Sequence, residues 1–206
     1  MGKIKLVVFW FFSALTLSAC VGSVPYKNSQ NQTIPKAPSD KAQIVFLRSS
    51  STFAGGKIPA VLFDVSGEKE VVIGAIPNRT KLVHLAEPGN HYFMVHSNEA
   101  ADFLAAELLP GKTYYVLVRP FPGAATYRFS FAPFRNSSSD EFSLQSNRFK
   151  EWLNSTTVVE PTDETYVWYQ NNSVDVKTKR EKYWPVWSDK SEAQRDSQTM
   201  NKNDGV

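Results

Sequence analysis

The chain has a single cysteine, Cys20. A disulfide needs two, so a domain stapled by intrachain disulfides is excluded and the thiol is free for modification. Long apolar runs are almost as scarce. The clearest, Leu6 to Leu17, falls short of the roughly 17 to 25 apolar residues that a spanning helix needs. Charge of one sign is also missing: the formal charge is +3, and it drops to +1 once Lys3 and Lys5 are removed with residues 1–19. A near-neutral chain has no long-range pull toward nucleic acid, which is therefore not an expected partner.

Catalytic signatures are absent as well. There is no Gly-x-Ser-x-Gly elbow, and Gly55-Gly56 is not followed by the Lys-Ser/Thr of a phosphate-binding loop. The histidines are only His84, His91 and His96. Five residues separate the last two, which puts them on opposite faces of a regular strand and prevents both from ligating one ion. Ser97, His96 and Asp102 form a nominal nucleophile, base and acid, but adjacent strand residues face apart. Glu68/Glu70 and Asp163/Glu164 sit in polar surroundings, where turns and a first helical turn account for them. No cofactor, metal or catalytic residue is expected, and the chain is not read as an enzyme.

What is present begins with an address. Lys3 and Lys5 precede the apolar run, which ends in Leu17-Ser18-Ala19-Cys20. This is the layout of a secretory signal followed by a lipobox, with cleavage before Cys20 and lipid on its thiol. The region resembles bacterial lipoproteins in general. Val21-Gly22, in place of an Asp after the cysteine, implies the outer membrane, with the domain facing the periplasm.

Residues 20–41 are rich in Ser, Asn, Gln and Pro and read as the lipidated cysteine and a flexible tether, with an r.m.s. span of roughly 25 Å. From Ala42 onward, short β-type runs alternate with turn residues. Strands are expected at 42–48, 60–65, 71–76, 81–85, 91–97, 105–108, 112–119 and 127–132. Ser66-Gly67, Pro77-Asn78, Pro88-Gly89-Asn90 and Pro110-Gly111 supply the turn chemistry. The fold class is mostly β, an antiparallel β-sandwich of about seven to eight strands over 42–134 with a C-terminal α-helical extension. Tyr114 to Val118 is apolar on both faces, so another element must cover its outer side.

The extension, 135–187, is expected to supply that cover. Phe142, Phe149, Trp152 and Leu153 recur at helical spacing behind Asp140. A second helix starts near Asp163 and is weakened by Asn171-Asn172-Ser173, and a third, from Ser173, stops or kinks at Pro185. Residues 188–206 read as a polar, frayed tail. Four basic residues between Lys177 and Lys182 lead into Tyr183, Trp184 and Trp187. These three aromatics either staple the extension to the sandwich or form a binding surface for a partner, glycan or headgroup.

The opening strand Ala42 to Arg48, Gly74, Pro88-Gly89-Asn90-His91 and Leu109-Pro110-Gly111-Lys112-Thr113-Tyr114-Tyr115 together resemble a domain-of-unknown-function family of bacterial lipoproteins. The resemblance covers residues 42 to about 133. It implies a β-sandwich and lends no catalytic residues. The expected function is a membrane-anchored, non-catalytic binding or structural module whose partner is another envelope protein or cell-wall glycan. The alternatives are a periplasmic glycan-binding module and, behind it, a glycan hydrolase.

Overall fold

The computed structural model describes residues 24–50, 58–136 and 141–206. Cys20, the lipobox and Gly55-Gly56 lie outside the described residues. Among these residues, eleven strands form two sheets. The first sheet holds β1 (Lys27–Asn28), β10 (Thr157–Glu160), β5 (Thr80–Ala86), β2 (Ala42–Arg48), β8 (Thr113–Pro122) and β9 (Tyr127–Pro133), in that order. The second holds β11 (Thr199–Met200), β7 (Ala101–Leu108), β6 (Gly89–His96), β3 (Ala60–Asp64) and β4 (Val71–Ile76).

The alternation of each strand sends one set of side chains between the sheets. Ile44, Phe46, Tyr114, Val116 and Phe131 meet Leu62, Phe93, Val95 and Leu104 there, with the Phe46 and Phe93 rings edge to face at 5.6 Å. The chain is mostly β, as expected, and every anticipated strand is present. The wholly antiparallel arrangement of seven to eight strands is corrected. β2 pairs with β8, β10 with β5, and β11 with β7 in parallel, so both sheets are mixed. The three additional strands, β1, β10 and β11, are two to four residues long, too short to carry a readable alternation.

Each sheet is covered on its outer face. Val45, Leu47, Leu117 and Phe134 pack under α1 (Asn147–Asn154) through Phe149, with Phe142 and Trp152 beside it. The cap is Ser146, whose Oγ accepts the Phe149 N–H at 3.0 Å; Asp140 lies outside the described residues. Against the other sheet, Val61, Phe63, Met94 and Phe103 pack under α2 (Asp163–Ser188) through Val176 and Trp187. The layers therefore run α1, first sheet, second sheet, α2. The outer face of β8 is covered by α1 and its flanks, while the tryptophans near the end of α2 cover β6 and β7.

α2 corrects two expectations: it is one helix, and it continues through Asn171-Asn172-Ser173. It contains Pro185 and ends three residues beyond it. Asn172 Nδ2 donates to the Trp168 carbonyl at 2.8 Å, so its amide is used within the helix. Tyr169, Val176, Arg180, Tyr183 and Trp187 fall on the side that meets the second sheet or its turns, and Thr165 meets the Pro25 carbonyl. Burial along that stripe outweighs an asparagine's propensity deficit of at most about 0.7 kcal/mol per residue. Pro185 leaves the Glu181 carbonyl without its i→i−4 donor, and the helix ends at Ser188, which confines the disturbance to its last turn.

The two polar segments are also corrected. From Val24 the expected tether is part of the fold: β1 pairs with β10, Thr165 Oγ1 donates to the Pro25 carbonyl at 2.7 Å, and Gln32 exchanges hydrogen bonds with the Val158 backbone. Val24 is buried under α2, while Ile34 packs on the α1 side, so the segment wraps the edge of the sandwich. The expected tail forms α3 (Glu192–Asp196), β11 and a 3-10 turn (Lys202–Asp204). Met200 is fully buried between the sheets, and Val206 exchanges backbone hydrogen bonds with Thr113.

Candidate functional site

All eight arginines of the chain lie within the described residues. Five use their guanidinium groups in hydrogen bonds: Arg48, Arg128, Arg135, Arg180 and Arg195. The other three, Arg79, Arg119 and Arg148, make no guanidinium hydrogen bond or ion pair among the described residues, and all three line one cleft of about 780 Å³. That volume is typical of a small-molecule site. Ser49, Ser50, Ser155, Phe142 and Trp152 line it too, with Glu141 and Glu151 on its wall.

The fold assembles this cleft at one end of the first sheet. Tyr115 and Leu117 point toward α1, so Arg119, two residues on, continues that face. β8 pairs with β2 only as far as Leu117, which opens space where β2 ends and Ser49-Ser50 begins. Arg119 lies 5.2 Å from the ring centres of Phe121 and Phe142, and Arg148 lies 5.1 Å from that of Trp152. Cation–π contacts orient a guanidinium without engaging its N–H donors. Among these three guanidiniums, Arg119 Nε is a buried donor without an acceptor.

Arg79 arrives from the β4–β5 turn. Its φ is 60°, the left-handed region that costs a non-glycine residue about 1 to 2 kcal/mol. Asn78 holds the turn: its Oδ1 accepts from the backbone of Ser50 at 2.9 Å and of Arg79 at 3.0 Å. Three cationic forks with free donors, beside two aromatic rings, suit an anionic group carried on a ring or other flat apolar body.

The aromatic residues singled out from sequence are brought together and packed. Trp187 is buried; Tyr183 and Trp184 are half-buried. Trp184 meets Tyr92 at 5.0 Å and Phe103 at 5.1 Å, edge to face, and Tyr183 donates its hydroxyl to the Glu99 carbonyl at 2.8 Å. Val65, Ser66, Tyr92, Arg180, Glu181, Trp184 and Pro185 line a groove of about 520 Å³. Arg180 is already committed there, to Glu70 and the carbonyls of Val65, Gly67 and Glu68. Within the basic run preceding the aromatics, Lys179 pairs with Asp175, and Lys177 faces Glu181 on the exposed side of the helix.

The nominal Ser97, His96 and Asp102 do not converge. Ser97 donates to the Ala100 carbonyl, His96 meets Asp175 at 3.0 Å, and Asp102 faces Lys190 and Gln198. Glu70 accepts from Arg180 and Tyr169, and Asp163/Glu164 occupy the first turn of α2. Sequence reading missed another trio, Asp64, Ser66 and His91. His91 Nδ1 lies 3.0 Å from Asp64 Oδ2, and its Nε2 lies 2.9 Å from the Glu87 carbonyl. Both ring nitrogens face acceptors, an arrangement that favours the protonated ring, and its pKa is raised chiefly by the hydrogen bond to Asp64. Burial favours the neutral acid at Asp64, but His91 and Ser66 outweigh it and bring its pKa down to about 2. Ser66 donates to Asp64 and faces no free base nitrogen, so this trio ties two turns together and activates no nucleophile. Three His, Cys, Asp or Glu residues in metal-binding proximity occur nowhere among the described residues.

No family model matches the chain, and no curated protein matches it.

Proposed function

We propose that the chain is a lipid-anchored protein of the outer envelope whose domain is a non-catalytic binding module, with the arginine cleft as its ligand site. The observation that carries this reading is that the three arginines without guanidinium partners all line the same opening. The signal and lipobox pattern ending in Cys20 supports the anchor. Among the described residues no histidine lines the cleft, and its carboxylates, Glu141 and Glu151, share the wall with the arginines; the cleft is assigned retention of a ligand rather than its chemical conversion.

The test is calorimetric titration of the soluble domain, made without residues 1–20, with phenyl phosphate and with phenol. Phenyl phosphate is expected to bind and phenol is not. Since a hydrogen bond to a charged group contributes about 1.5 to 3 kcal/mol, Arg119→Met or Arg148→Met should weaken binding about tenfold or more. Arg79→Gly should also weaken it without lowering the melting temperature, because glycine relieves the left-handed strain. Equal affinity in parent and variants, or no binding at all, refutes the cleft.

A second reading, glycan stacking in the groove beside Trp184, draws on the half-buried indole and the exposed Tyr92. It would show as binding of neutral oligosaccharide that Tyr92→Ala removes and the arginine variants leave intact.

A further inference from the structure

The distance between the anchor and the fold is set by Val24. This residue is 5% exposed, packed with the second sheet and α2. Beyond it, Pro25 is tied to Thr165, Lys27–Asn28 pairs with β10, and Ser29 donates its backbone N–H to the Val158 carbonyl at 2.9 Å. The length of chain free to act as a spacer is therefore not residues 20–41. It is the stretch from Cys20 to Val24, which reaches about 14 Å even when fully extended.

We infer that the end of the domain where Pro25 meets Thr165 rests on the phospholipid headgroups, with Tyr26, Tyr166 and Val167 as its contact residues. This inference rests on the reading of Cys20 as the lipidated residue. Tyr26, Tyr166 and Val167 are 43%, 45% and 51% exposed, and each directly follows one of the residues that form the Pro25–Thr165 tie or its neighbour. Tyrosine has an apolar ring and a polar tip, the combination found at membrane–water interfaces. Charge does not drive the contact: Lys27 faces Glu160 at 3.7 Å, and Asp163 and Glu164 open α2. The surface thus fits a glycerophospholipid bilayer without requiring an anionic one. It is the covalent anchor that holds the seat, and a four-residue leash leaves the domain no room to float.

The experiment uses the full lipidated protein in vesicles of phosphatidylethanolamine and phosphatidylglycerol that contain a headgroup-linked quencher. One variant carries a fluorophore on Tyr166→Cys, another on Lys150→Cys, which lies on α1 across both sheets. Flotation with the vesicles reads the anchor independently. The inference expects both proteins to float, the Tyr166→Cys probe to lose most of its emission, and the Lys150→Cys probe to keep it. A Gly/Ser spacer as long as residues 21–41, inserted after Cys20, should restore the Tyr166→Cys emission. Floating protein whose two probes are equally bright overturns the seat and leaves the lipoprotein reading intact. Protein that fails to float overturns the lipoprotein reading itself.

Discussion

Arg48 brings a guanidinium fully inside the molecule, donating to the carbonyls of Ile58 at 2.6 Å and Ile76 at 3.0 Å and lying over the Phe129 ring at 4.5 Å. Burial lowers its pKa to about 10, which still leaves it charged at neutral pH. Arg48→Met would strand two buried carbonyls, a loss expected to reach roughly 3 kcal/mol or more in urea unfolding. His96 shows the opposite outcome of burial. Its pKa is lowered to about 4, first by desolvation and then by Lys179, against the pull of Asp175. A depressed folded value means that the unfolded chain binds the proton more readily as the pH falls below about 6.5. Stability from His96 is thus complete above that point and is lost as the pH drops through 4, by roughly 3 kcal/mol. His91 works with the reverse sign, since its raised value adds stability below about 6.5 that is lost as the pH rises through it. His96→Gln should therefore flatten the decline in melting temperature between neutral pH and pH 4 relative to the parent; an unchanged slope would show that His96 does not titrate this way.

At the scale of elements, the two helices owe their existence to the sheet faces they cover. α1 is only eight residues long, below the roughly 12 to 15 at which an isolated helix becomes even marginal in water, so Phe149 and its neighbours must supply the remainder by packing. α2 ends in a cluster where Trp187 meets Tyr92, Phe103 and Trp184. Trp187→Ala should lower stability by roughly 3 to 5 kcal/mol, with Trp184→Ala, at a half-buried position, costing less. The Trp187 indole N–H is buried without an acceptor, so Trp187→Phe removes an unmet donor along with some volume. It should cost well under half of what the alanine variant costs, and thermal melting of all three variants settles the order.

For the whole molecule, the two segments with the least apolar patterning turn out to close the sandwich. Residues 24–41 wrap one edge through β1, while the chain end adds β11 to the other sheet and buries Met200 in the shared core. Arg135 fastens that end, donating to Asp204 at 2.7 Å and to the Thr199 carbonyl. Neither segment is a dispensable appendage. One consequence is that the cleft beside α1 and the chain exit beneath α2 belong to opposite outer layers.

The strands of the two sheets could be read from the sequence because alternation and turn residues are local properties. A strand such as Tyr127–Pro133 announces its buried face whatever it pairs with. The need for a cover over β8 was equally legible, since Tyr115 and Leu117 are apolar whichever element meets them. Partner choice was not legible. Parallel pairing of β2 with β8 joins residues about seventy positions apart, and nothing in either strand distinguishes it from an antiparallel alternative. The continuity of α2 was hidden for the same reason, because its buried stripe includes Thr165 and Arg180, which count as polar until the Pro25 carbonyl and the β3–β4 turn supply their acceptors. The arginine cleft lay furthest from view. Arg79, Arg119 and Arg148 are isolated basic residues in the chain, and only the folded sheet end and α1 bring them together while leaving their donors free.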